Sequence, residues 1–189
     1  GGVPGTFHHL YFSGTPIGVI ALGSVLSALE VVPLAVVGFE AYNRSKLEGQ
    51  NEWEEVYHWP FRFFAAVLFR NLLGAGLVGF LLNTPIALYD MQGLNTTASH
   101  GHAALFGVYG MLGLGLVLYC MRGLTNPRIW NQRLLSIAFW CLNIGLAMMT
   151  FLSLLPQGLW QTYVSFNENY AAARSAELMH HPIMEGLVW

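Results

Sequence analysis

Four long apolar stretches separated by short polar ones set the outline of this chain. The first, IGVIALGSVLSALEVVPLAVVGFEAY, follows Thr15-Pro16, which reads as an N-cap and a first helical position, and gives a span over residues 16–43. The second opens at Pro60 and runs to Asn83. The third, capped by Thr97 or Ser99, covers 99–121, and the fourth covers 134–155 and stops at Pro156 to Gly158. Each has about the twenty helical residues needed to cross a hydrocarbon core, so the pattern predicts an all-α, polytopic transmembrane helix bundle. Residues 1–14, GGVPGTFHHLYFSG, are too broken by Gly and Pro for one regular helix. Residues 159–189 are more polar and read as an interfacial segment leading to a further helix.

The polar residues inside the apolar stretches narrow the picture. Glu30 sits near the middle of the first span, three residues before Pro33, where a carboxylate carries protons, binds a metal or pairs with a cation. Ser24 and Ser27 precede it on roughly the same face and extend a polar track. Arg70 lies about ten residues into the second span, with Glu40 on the preceding span as its expected structural partner. Arg44, Lys46, Arg62, Arg122, Arg128 and Arg133 fall on one side of this ladder and Arg174 on the other, which makes the first side cytoplasmic. His8, His9, His100 and His102 then share the outer half.

Composition agrees: 54% of residues are hydrophobic and 10% charged, with a mean hydropathy of +0.49. Soluble domains carry about 25% charge. A net charge of −2 without a basic stripe argues against nucleic acid as a partner and leaves the lipid bilayer. Cys120 and Cys141 lie in apolar runs and read as packing thiols rather than a disulfide or a metal knuckle. With no initiator Met and no signal peptide, the chain reads as one piece of a longer polytopic polypeptide.

The candidate chemistry belongs to the histidines. His100 and His102 open the third span two residues apart, which on a helix turning about 100° per residue places them on nearly opposite faces at almost one depth. They cannot easily share a metal. The arrangement suits a helix wedged between two flat cofactors such as hemes, each taking one imidazole; interhelical hydrogen bonding is the plainer alternative. His8 and His9 are adjacent, and on irregular backbone both can converge on one ion, although chance pairing on a surface loop gives the same dipeptide. His180-His181 repeats it in a polar stretch away from any intramembrane acid.

Five motifs in order, FHHLYFSGTP, SALEVVPL, NTPIALY, HGHAALFGVYGMLG and YAAARSAELM, resemble the catalytic subunit of bacterial nitric oxide reductases, within the heme-copper oxidase superfamily. The match runs from the end of that family's seventh transmembrane helix to the approach to its twelfth, and the HGHAALFGVYG wording is closer to the quinol-dependent branch than to the cytochrome c-dependent one. The resemblance implies two b-type hemes and a non-heme iron in a membrane of the bacterial inner (cytoplasmic) type. His8 and His9 match ligands of the iron. His100 matches the ligand of a high-spin heme facing it, and His102 an axial ligand of a low-spin heme across the same helix. Glu30 matches a glutamate near the iron, associated with proton supply or with shaping that site, that oxygen-reducing relatives generally lack. The implied reaction is reduction of two nitric oxide molecules to nitrous oxide and water, with electrons from quinol or a cytochrome c subunit. The remaining iron and heme ligands would lie on upstream parts of the polypeptide, so the chain alone is expected to be inactive. A copper-containing oxygen reductase, or a membrane cytochrome or structural subunit without enzymatic activity, are the other readings.

Overall fold

The computed structural model describes residues 2–47, 56–126 and 129–188, and among them every regular element is a helix. Four are long and apolar enough to cross a membrane: Ile17–Glu40, His58–Asn83, Asn95–Leu124 and Gln132–Asn167. Arg128 and most of the polar connection after the first span lie outside the described residues.

A short helical turn, Gly2–Gly5, and a 3-10 turn, Thr6–Leu10, lead into the first span and pack along Ile17–Ala28. The close contact is at Gly23, where a methyl group would lie 2.6 Å from the backbone nitrogen of His8. Thr15 does not cap the span: its hydroxyl donates to the Leu10 carbonyl at 3.3 Å, and Pro16 stands at the cap in extended conformation. The span is broken at Leu29 and Glu30, between Ile17–Ala28 and Val31–Leu47. Pro33 explains the break, since its ring clashes with the carbonyl four residues earlier, that of Leu29, and the turn closes through 3-10 bonds such as Glu30 N–H to Ser27 at 3.0 Å.

The second and third spans lie against each other, His58–Arg70 along Met111–Leu124, with Gly115 admitting the Phe63 and Phe64 side chains. Between them runs a short helix, Pro85–Met91, and a turn that needs Gly93 at φ 79°. Neither Thr97 nor Ser99 caps the third span, which starts at Asn95. Thr97 is spent on that turn, accepting from Gly93 N–H and donating to Met91, both at 3.1 Å, while Ser99 donates to Thr150 of the fourth span at 3.1 Å.

The fourth helix does not end at Pro156 but continues to Asn167. A wide π-helical stretch, Met148–Leu154, precedes the proline and leaves room for its ring. The extension docks the third span. Asn95 N–H donates to Gln161 Oε1 at 2.9 Å, Asn95 Nδ2 to Gln157 Oε1 at 2.5 Å, and Gly158 sits so close that a methyl there would collide with the Thr96 nitrogen. Glycines and hydrogen-bonding residues thus close these contacts, while large apolar side chains such as Phe69, Leu81 and Tyr163 are exposed. Cys120 and Cys141 are free and outward-facing rather than packed.

Arg70 is held by Asn143 of the fourth span, not by the carboxylate expected of Glu40. Its guanidinium donates to the Asn143 carbonyl at 2.9 Å and to Oδ1 at 3.0 and 3.3 Å. The backbone carbonyl and the side-chain oxygen of one asparagine satisfy the guanidinium without placing a second charge in hydrocarbon.

Candidate metal and cofactor centre

One cavity of about 640 Å³ gathers four of the five sequence-derived site residues: His8 and His9 from the N-terminal turn, Glu30 from the break in the first span, and His100 from the third. Ser27, Asn71, Asn83, Thr97 and Tyr109 add polar wall. His102 is not among the lining residues and lies exposed. The two imidazoles of the third span thus serve different surroundings, as opposite helix faces require.

Backbone carbonyls orient three of these rings. His8 Nδ1–H donates to Gly5 at 2.6 Å, His100 Nδ1–H to Gly74 of the second span at 3.0 Å, and His102 Nδ1–H to Ala98 one turn earlier at 2.9 Å. A neutral imidazole that donates from Nδ1 keeps its lone pair on Nε2, the nitrogen left for a metal. This carbonyl anchoring is the usual support of metal-bound histidine. His9 lies against His8 on the same 3-10 turn, ring centroids 4.0 Å apart. Burial pushes the His8 imidazole below the ordinary histidine value. The Gly5 hydrogen bond works against that shift, and His9 and His100 add to it.

The donor set suits iron and heme, since imidazole nitrogen is a standard ligand for both. It is incomplete by itself: among the described residues no three His, Cys, Asp or Glu side chains close on one point. Ser24 does not extend the polar track toward Glu30; it is buried and donates to the Asn83 carbonyl, leaving Ser27 as the serine at the cavity. His180 and His181 have other duties, the first 3.2 Å from Glu185 and the second accepting the Ile183 N–H at a helix start. Sequence reasoning missed Gly74 and Gly79, which shape the second span around His100. The Gly74, Gly76, Gly79 spacing in an apolar helix was the available signal.

The fold is that of a polytopic helical membrane protein, and the chain belongs to the cytochrome c and quinol oxidase polypeptide I family, matched over residues 1–188. It is similar to a nitric oxide reductase subunit of Stutzerimonas stutzeri, 31% identical over 156 residues, which are 79% of this chain and 32% of that protein. The chain thus spans about a third of that relative's length. Family and relative agree with the motif resemblance to the heme-copper oxidase superfamily.

Proposed function

We propose that this chain forms part of the catalytic core of a membrane nitric oxide reductase, in which two nitric oxide molecules, two electrons and two protons give nitrous oxide and water. The observation that carries the reading is the cavity shared by His8, His9, Glu30 and His100, with two of those imidazoles tied through Nδ1 so that Nε2 remains for a metal. The similarity to a nitric oxide reductase subunit supports the substrate.

Bound iron and heme would supply redox change and sites for the nitrogen atoms of the substrate. The residues do the rest. His8 and His9 offer two of the iron's ligands from one turn, the remainder coming from other parts of the polypeptide. His100 would hold a high-spin heme through its Nε2, and His102 would hold a low-spin heme through its own. Holding both reactants in one cavity would turn their encounter into an intrasite event. Glu30 lines the cavity and can pass a proton from its carboxyl oxygen as an N–O bond breaks. The quinol-dependent branch is the favoured donor type, on the wording of the HGHAALFGVYG helix, and the bacterial inner membrane the favoured location.

The full-length enzyme, purified in detergent, should contain non-heme iron besides heme and consume nitric oxide faster than oxygen when given quinol. Copper in place of that iron, with oxygen as the faster substrate, would mark an oxygen reductase. Low-spin heme alone, with neither gas consumed, would mark an electron carrier.

A further inference from the structure

The second span meets His100 at two glycines with different jobs. Gly74 takes the Nδ1 hydrogen on its carbonyl. Gly79 takes the other constraint, because a methyl group on it would lie 2.9 Å from His100 Cε1, 3.5 Å from Nδ1 and 3.7 Å from Nε2. The glycine therefore faces the N–C–N edge of the ring, between the nitrogen that is anchored and the nitrogen that is offered. That edge cannot give way like the end of a flexible chain, since the hydrogen bond to Gly74 pins it and the ring is rigid.

Gly79 itself is clamped. Asn83 Nδ2 donates to the Gly79 carbonyl at 2.8 Å, and the Asn83 carbonyl in turn accepts the buried Ser24 hydroxyl from the first span. Ser24 is fully enclosed and Asn83 nearly so. A chain of polar contacts thus fixes the peptide at Gly79 against the first span.

We propose that Gly79 is a positioning residue for His100: the missing side chain sets the direction in which Nε2 points into the cavity. The inference rests on His100 being the ligand of the high-spin heme. Any side chain at position 79 would force Cε1 away, and with the Nδ1 corner held, Nε2 must swing. A displacement of a few tenths of an ångström at a ligating atom tilts the imidazole relative to the plane it serves and weakens the bond. A merely structural small residue would tolerate alanine without touching that bond.

The test uses the full-length holoenzyme and resonance Raman spectroscopy of the ferrous high-spin heme, whose iron–histidine stretching band reports the bond directly. Gly79→Ala should displace or split that band while the low-spin heme signal, from His102 on the same helix, stays at its wild-type intensity. Gly113→Ala, where a methyl meets nothing within 4 Å, should leave the band in place. An unchanged band in a heme-replete Gly79→Ala enzyme overturns the proposal.

If Gly79→Ala instead fails to take up the high-spin heme, a second pair of variants decides. In His100→Gly, free imidazole can occupy the vacated position. Imidazole should restore the high-spin signal equally in His100→Gly and in Gly79→Ala/His100→Gly, because the clashing ring is no longer tethered. Restoration in the single variant only would mean that Gly79 matters for helix packing, and would overturn the proposal. If His100→Gly alone keeps the wild-type histidine band, the assignment of His100 as ligand fails, a result distinct from an unmoved band in Gly79→Ala.

Discussion

His100 and His102 stand two residues apart on one helix yet answer to different carbonyls, His100 to Gly74 on the neighbouring span and His102 to Ala98 on its own. The ring bound across the helix interface turns into the cavity with His8, His9 and Glu30. The ring bound within its own helix turns outward. The pair is therefore asymmetric: the first belongs to the face where chemistry would occur, the second to the face that would deliver electrons.

Glu30 is the carboxylate that lines the cavity, with Gly5 and Ser27 beside it. Glu30→Gln removes the ionisable carboxyl group and keeps the shape. Nitric oxide turnover should fall by roughly a hundredfold or more, the usual size of a positioned acid–base group, with the heme spectra unchanged. Stopped-flow consumption of nitric oxide across a range of pH checks this, and an unaltered rate and pH profile would remove Glu30 from the proton path.

Gly23 presses the first span against the backbone of His8, whereas Gly18 on the same helix faces open space. Gly23→Ala should push the His8–His9 turn away from the cavity and lower the non-heme iron content, with both hemes retained. Gly18→Ala should not. Metal analysis normalised to heme separates the two variants.

Gly158 packs on backbone that cannot yield, at the Thr96 nitrogen. Gly158→Ala should destabilise the protein by about 1–3 kcal/mol, the range for overpacking, seen as a lower melting temperature in detergent. Gly186→Ala, with nothing within 4 Å, should be close to neutral.

Arg70 relies on Asn143 for three hydrogen bonds inside the membrane. Asn143→Leu removes the two made to the side chain and should cost about 2 kcal/mol, as for hydrogen bonds to a charged group. Thermal unfolding of the detergent-solubilised protein measures it, and the loss should exceed that of Ile144→Leu at the exposed neighbouring position.

The apolar runs made the helices legible, because some twenty mostly apolar residues in a row have few other solutions, and ionisable groups within them singled out His100, His102 and Glu30 as candidates. What escaped was set by other elements. The side chains of Thr15, Thr97 and Ser99 are cap formers in isolation, but each is claimed by a neighbouring turn or helix. Pro156 and Gly158 look like a stop, yet the wide turn before the proline and the docking of Asn95 carry the helix on. Gly74 and Gly79 have no side-chain chemistry of their own, so their part in holding His100 becomes visible only when the second helix is laid beside the third.

The claim that one helix serves two hemes on two faces is tested most directly by the optical and electron paramagnetic resonance spectra of His100→Ala and His102→Ala in the full-length enzyme. His100→Ala should lose the high-spin heme and keep the low-spin one, and His102→Ala should do the reverse. Loss of the same heme in both variants, or of neither, would contradict it.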